Sequence, residues 1–170
     1  MLYSYNTYKT LLNENVNYIK FSNSAYLTFE IIMDGILKKY TNYFKELNPQ
    51  IITSSDCNNA TTYIFNGTYS DYGLEYANNY VEAYELDKKY KKELIFPFKK
   101  TKKIFLENKF VLSEYSIIHI SYILDFHIST MLNDIVEHCI TNKKKIINKQ
   151  IIIDVLSTSI EYQNFIEYVQ

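Results

Sequence analysis

The sequence predicts an all-α fold that runs one helical plan twice within a single chain. Three observations carry this. Gly and Pro are scarce, 3 and 2 in 170 residues, so tight turns are few. Two long stretches repeat apolar residues at three- and four-residue steps over roughly five turns or more. Each is flanked by shorter segments in the same order, an internal repeat of architecture rather than of sequence. A long helix flanked by two short ones cannot bury its stripe alone. Two copies that cross their long helices bury both stripes.

The first copy occupies residues 1–66. An amphipathic segment from about Tyr3 to Glu14 sets Tyr5, Tyr8, Leu11 and Leu12 on one face. The polar stretch NENVNYIKFSNS follows, where Ser22 or Ser24 is suited to cap a helix. The long stripe is Phe29, Ile32, Met33, Ile36, Leu37, Tyr40, Phe44 and Leu47, with Pro49 as its stop signal. Ile51-Ile52 reads as a scrap of strand. Thr53, Ser54 or Ser55 then caps a brief helix through Tyr63, ended by Asn66-Gly67. One more helix runs from about Ser70 to Lys89.

The second copy occupies residues 98–157. Lys99 to Glu107 is a short basic helix after Phe96-Pro97, a good place for Pro. The long stripe is Ile117, Ile120, Leu124, Ile128, Met131, Leu132, Ile135, Val136 and Ile140. The basic loop Lys143-Lys144-Lys145 leads to the strand scrap Ile146-Ile147. Asn148 caps a short helix from Lys149 to Leu156, and a segment from Ile160 to Val169 closes the chain.

The apolar fraction, 47%, is that of a globular protein rather than a disordered one. All 18 positive residues are Lys, with no Arg. Residues 1–87 carry 5 Lys against 10 acids, a balance of −5; residues 88–170 carry 13 Lys against 9, a balance of +4. An anionic partner is expected to meet the second half first. Cys57 and Cys139 lack CxxC spacing and read as small buried residues in a reducing compartment. The opening MLYSYNTYKTLLNENV lacks the basic and long apolar regions of a signal peptide, so secretion is not expected. No run approaches the ~18 apolar residues of a membrane span. The acceptor patterns at Asn59 and Asn66 are what an Asn-rich chain produces by chance. His127 and His138 share a helix face but lie too far apart for one metal, while Asp134 and His138 are spaced to pair on the surface. His119, His127 and His138 read as packing or surface residues, and three scattered Gly build no phosphate loop. No enzyme, metal, cofactor or small-molecule substrate is expected.

The stretches themselves resemble a known family. LIFPFKKTKKIFLENKF looks like the opening helix of histone 2A, SYILDFHISTMLNDIVEHCITN like its long helix, NKKKIINKQIIIDVL like its second DNA-contact loop and third helix, and IEYQNFI like the short helix after it. In the first half SYNTYKTLLNE, FEIIMDGILKKY and IITSSDCNNAT resemble the matching parts of histone 2B. YSDYGLEYANNYVEAY resembles the extra C-terminal helix of that type. The resemblance covers about residues 3–168 and rests on the order of two matching halves. It implies two histone folds in tandem forming an intrachain handshake pseudo-dimer, residues 1–87 like histone 2B and 88–170 like histone 2A. Fused histone pairs of this kind occur in large DNA viruses. The location implied is the virion, the virus factory or the host nucleus.

The function implied is sequence-independent binding of double-stranded DNA, packaged into nucleosome-like particles with a histone 3–histone 4 pair or a fused equivalent. The DNA-contact positions implied are Lys99, Lys100, Lys102, Lys103, Lys143, Lys144, Lys145 and Lys149 in the second half, with Lys20, Ser22, Gln50 and Thr53 in the first. Asp125, Glu75 and Glu161 match the acidic patch that recruits chromatin partners, while Thr130 and Asn133 stand where that patch has acids. Other departures are equally plain. Without Arg no guanidinium enters the minor groove. NPQIITSS in the first half carries no positive charge, basic tails are missing, and the chain stops at Gln170, where histone 2A continues. The same fold builds transcription-factor dimers such as the CCAAT-binding factor. A regulator or protein scaffold of that kind, with weak or no DNA wrapping, is the alternative expectation.

Overall fold

The computed structural model describes residues 6, 8–10, 18–65, 67–86 and 98–170. The chain is mostly helical, with short scraps of strand, as the periodicity predicts. In order come β1 (Lys20–Phe21), α1 (Asn23–Leu47), α2 (Ser54–Ile64), α3 (Thr68–Leu86), α4 (Phe98–Glu107), α5 (Glu114–Thr141), β2 (Ile146–Ile147) and α6 (Lys149–Thr158). The closing segment, Gln163–Tyr168, is a 3-10 helix rather than an α-helix. Residues 8–10 are helical; the rest of the Tyr3–Glu14 segment, apart from Asn6, lies outside the described residues. So do Phe96-Pro97, the join near residues 87 and 88, and Asn66. No described helix is long and apolar enough to cross a membrane.

The chain packs as two compact units, and these do not follow the two halves of the sequence. Unit 1 takes residues 1–36 with 128–170; unit 2 takes residues 37–127. Each long helix therefore gives one part of its length to each unit. The apolar stripe of α1 serves both, with Phe29, Ile32, Met33 and Ile36 buried in unit 1 and Leu37, Tyr40 and Phe44 in unit 2. Burying each such side chain contributes roughly 1.5–3 kcal/mol. Leu47 and Ile140, the last members of the two stripes, are about half exposed, while Phe44 and Cys139 in the same final turns are fully buried.

In unit 1, Tyr8 packs edge-on against Tyr26 and tilted against Phe29, both at 5.7 Å between ring centres. Its hydroxyl donates to the buried Glu30 carboxylate at 2.9 Å. Ile151, Ile152, Val155 and Leu156 of α6 bury against the unit, as do Tyr162 and Phe165. Gly35 lies under the ring of Tyr168, where a Cβ would stand 2.6 Å from the ring. Unit 2 is packed by aromatic rings. Phe44 meets Phe105 and Phe110, each at 6.0 Å. Tyr80 of α3 stacks on Tyr122 at 4.1 Å, and Phe65 stacks face to face on His127 at 3.6 Å. Gly73 admits the His127 ring, since a Cβ there would lie 2.9 Å from Nε2.

Both cysteines are buried thiols, and burial raises both above the ordinary thiol value. His119 and His127 are buried in unit 2, and desolvation lowers them to about 4 and about 3. Neither ring nitrogen of His119 has a hydrogen-bond partner among the described residues. The expected Asp134–His138 pair is not formed: among the described residues neither side chain bonds the other. Burial, then the neighbouring Glu137, raises the Asp134 carboxyl instead.

Candidate nucleic-acid interface

The five lysines at the β1–β2 pair belong to unit 1, and the backbone brings them there. β1 and β2 pair in parallel, Lys20 against Ile146 and Phe21 against Ile147. The Lys20 N–H donates to the Lys145 carbonyl at 2.9 Å, and the Ser22 N–H to the Ile147 carbonyl at 3.0 Å. Phe21 and Ile147 point inward and are buried, so alternation leaves Lys20 and Ile146 outward. Lys20 thus sits beside the Lys143–Lys145 turn although well over a hundred residues separate them in the chain.

Parallel pairing has a second consequence, because both strands run directly into helices. α1 starts after Ser22 and α6 after Asn148, so the two N-termini emerge side by side. Ser22 Oγ accepts from the Ala25 N–H at 3.1 Å, and Asn148 Oδ1 from the Ile151 N–H at 3.1 Å. The Lys149 N–H reaches across to Ser24 Oγ at 3.4 Å. Neither helix has an acid in its first turn. Helix N-termini carry partial positive charge and unpaired N–H groups, which suit an anion. Lys20, Lys143, Lys144, Lys145 and Lys149 are exposed, and among the described residues none is ion-paired. A cleft of about 470 Å³ opens beside the turn, lined by His138, the three consecutive lysines, Asn148 and Gln150. Asp154 also lines it and accepts from Gln150 Nε2 at 2.8 Å.

Unit 2 repeats the arrangement with other side chains. Ile52 bridges Leu112 in parallel. The Ile52 N–H donates to the Val111 carbonyl at 2.9 Å, and the Ser113 N–H to the Ile52 carbonyl at 3.0 Å. Ser113 Oγ accepts from the Ser116 N–H at 3.1 Å, as Ser22 does for Ala25. Thr53 caps α2 through a reciprocal box, in which Asp56 Oδ2 accepts from the Thr53 N–H at 2.8 Å. Here both N-termini carry an acid, Asp56 in the first turn of α2 and Glu114 in that of α5. Gln50 and Thr53, expected at a DNA contact, are exposed, but the Thr53 hydroxyl donates to Asp56 at 2.7 Å.

The lysines of α4 also belong to unit 2. Lys99, Lys102 and Lys103 are exposed and Lys100 is half-buried. Lys103 pairs with Glu107 one turn on, at 3.6 Å. The acidic-patch positions are not alike. Asp125 is 5% exposed, so its carboxylate faces the interior of unit 2 rather than a partner. Its place on the inward side of α5 is not visible in a run where nearly every neighbour is apolar. Glu75 is exposed in unit 2, and Glu161 is half-buried in unit 1.

Sequence reasoning missed Ser24 as a link to Lys149, and missed the lining roles of His138 and Gln150. No local pattern signals these; only the strand pairing creates them. Among the described residues, no group of three or more His, Cys, Asp or Glu is placed to hold a metal. The chain matches no protein-family model and no curated protein.

Proposed function

We propose that the chain is a histone doublet of the 2B–2A order that binds duplex DNA through its phosphates and packages it together with a histone 3–histone 4 pair or fused equivalent. One observation carries the reading: a parallel strand pair sets Lys20 beside Lys143–Lys145 and Lys149, next to two helix N-termini with no acid in the first turn. Lysines and N-terminal N–H groups hold phosphates without reading sequence. The repeated strand pairing, with matching caps in both units, supports two copies of one fold in the chain. The resemblance supplies the partner pair.

The test is a salt titration of binding to random-sequence duplex DNA, with and without a histone 3–histone 4 pair. Steep salt dependence, indifference to sequence, and nuclease protection that appears with the pair are expected. No binding in either mixture would sink the proposal. A second reading, a histone-fold regulator or scaffold like the CCAAT-binding factor, draws support from the acid-capped, lysine-poor strand pair of unit 2. It predicts strong preference among unrelated DNA sequences, or protein partners alone.

A further inference from the structure

We propose that the protein grips the DNA backbone at one strand pair only: that of unit 1 takes phosphates, and the equivalent strand pair of unit 2 takes none. This rests on the DNA-binding reading above and specifies where that binding resides. The two strand pairs correspond residue by residue. Ser22 and Ser113 cap the long helices, Phe21 and Leu112 pair inward, and Lys20 matches Val111. Asn148 and Thr53 cap the short helices, so Ile147 matches Ile52, Ile146 matches Ile51, and Lys143, Lys144 and Lys145 match Asn48, Pro49 and Gln50. Lys149 matches Ser54. At each of the five positions where unit 1 presents a lysine, unit 2 presents an uncharged residue.

One further difference points the same way. The helix N-termini of unit 2 are already compensated by Asp56 and Glu114, whose carboxylates repel a phosphate approaching the same N–H groups. Those of unit 1 have no such carboxylate. Just past each long helix a residue takes a left-handed conformation, Asn48 at φ 47° and Lys143 at φ 53°. Asn tolerates that backbone and Lys does so poorly. Both units carry a lysine on this backbone, Lys143 in unit 1 and Lys109 at φ 64° in unit 2, so the conformation itself does not separate them. Unit 2 exposes Val111 where unit 1 exposes Lys20, while the matching Ile51 and Ile146 are both about half exposed. Its α4 lysines lie on a separate helix, and Lys103 there is paired with Glu107.

The experiment is fluorescence anisotropy of a short random-sequence duplex across a salt series. It compares the full chain, the variant K20Q/K143Q/K144Q/K145Q/K149Q, and the variant P49K/Q50K/V111K. Five phosphate contacts give the parent a log–log slope of about −4.5. The first variant is expected to lose most of that slope and more than about a hundredfold in affinity at 0.1 M salt. The second is expected to steepen the slope by about two to three. A first variant that keeps the parental slope overturns the one-sided grip while leaving DNA binding intact. A parent that binds no DNA at any salt overturns the DNA-binding reading and this inference with it. Should the first variant fail to fold, lysine acetylation of the parent with and without DNA decides. Protection of Lys20, Lys143, Lys144, Lys145 and Lys149 but not of Lys109 is expected, and equal protection of Lys109 overturns the inference.

Discussion

At the strand pair of unit 1 the outward residue of the strand that leads into the long helix is Lys20; at that of unit 2 it is Val111. Backbone bonds and caps match and the inner partners are apolar in both, though Leu112 is less buried than Phe21, while the outward charges do not match. The difference extends inward. Unit 2 holds both deeply buried histidines and the Phe44–Phe105–Phe110 cluster, whereas unit 1 closes on α6 and the 3-10 segment. The lesson is that a backbone plan is specified by few positions: a cap, an inward apolar pair, and a stop after the helix. The remaining positions are left to carry separate tasks.

The largest effect expected of a single substitution lies in the aromatic packing of unit 2. Phe44→Ala is expected to cost about 3–5 kcal/mol, read by urea denaturation. Tyr8→Phe, which leaves the buried Glu30 carboxylate short of a donor in unit 1, is expected to cost about 1–3 kcal/mol. A Tyr8 variant that loses more than Phe44→Ala would reverse the contrast.

Acid comes next. Folding holds His119 and His127 neutral, at about 4 and about 3, against 6.5 for the ordinary ring. Their contribution is complete above pH 6.5 and is lost as pH falls from there through the folded values, because the unfolded chain binds the protons first. The loss is on the order of 3 kcal/mol per ring by pH 4. Urea midpoints measured from pH 7 to pH 4 should fall steeply, and His127→Phe should flatten the fall. An unchanged profile in that variant would remove His127 as a source of the acid sensitivity.

A smaller effect belongs to unit 1. Gly35→Ala forces the Tyr168 ring aside and is expected to cost about 1–3 kcal/mol. Amide exchange should quicken in residues 163–168 above all; uniform quickening would mean that the 3-10 segment is not what the substitution displaces. The smallest effect separates backbone from charge. Lys143→Gly is expected to add about 0.5–1 kcal/mol of stability while weakening DNA binding, whereas Asn48→Gly adds less and leaves binding unchanged. A loss of stability in Lys143→Gly would show that the lysine is held for packing.

Much of this was legible in the chain. The stripes of α1 and α5, the cap at Asn148, the narrow choices of cap at Ser22 or Ser24 and at Thr53, Ser54 or Ser55, and the strand scrap Ile146–Ile147 follow from local periodicity and capping chemistry, which act over a few residues. The strand β1 at Lys20–Phe21 was not foreseen. The basic turn was legible too, because three consecutive lysines after an apolar stripe have no place in a core. Burial was less so at the ends of elements: Leu47 and Ile140 keep the period yet lie exposed, and Asp125 breaks it yet lies buried.

The sequence by itself determined the order of the helices, the cap that starts the short helix after Asn148, and which half holds the surplus of lysine. Tertiary structure alone decided that packing divides each long helix rather than the chain at its middle, and that Lys20 stands beside Lys145. It also decided that His127 stacks on Phe65 and that Asp125 turns inward. The reason is one of range. Periodicity and caps are set by neighbours a turn apart, whereas parallel pairing and ring stacking join residues far apart in the chain. Their partners are fixed only when the buried faces come together.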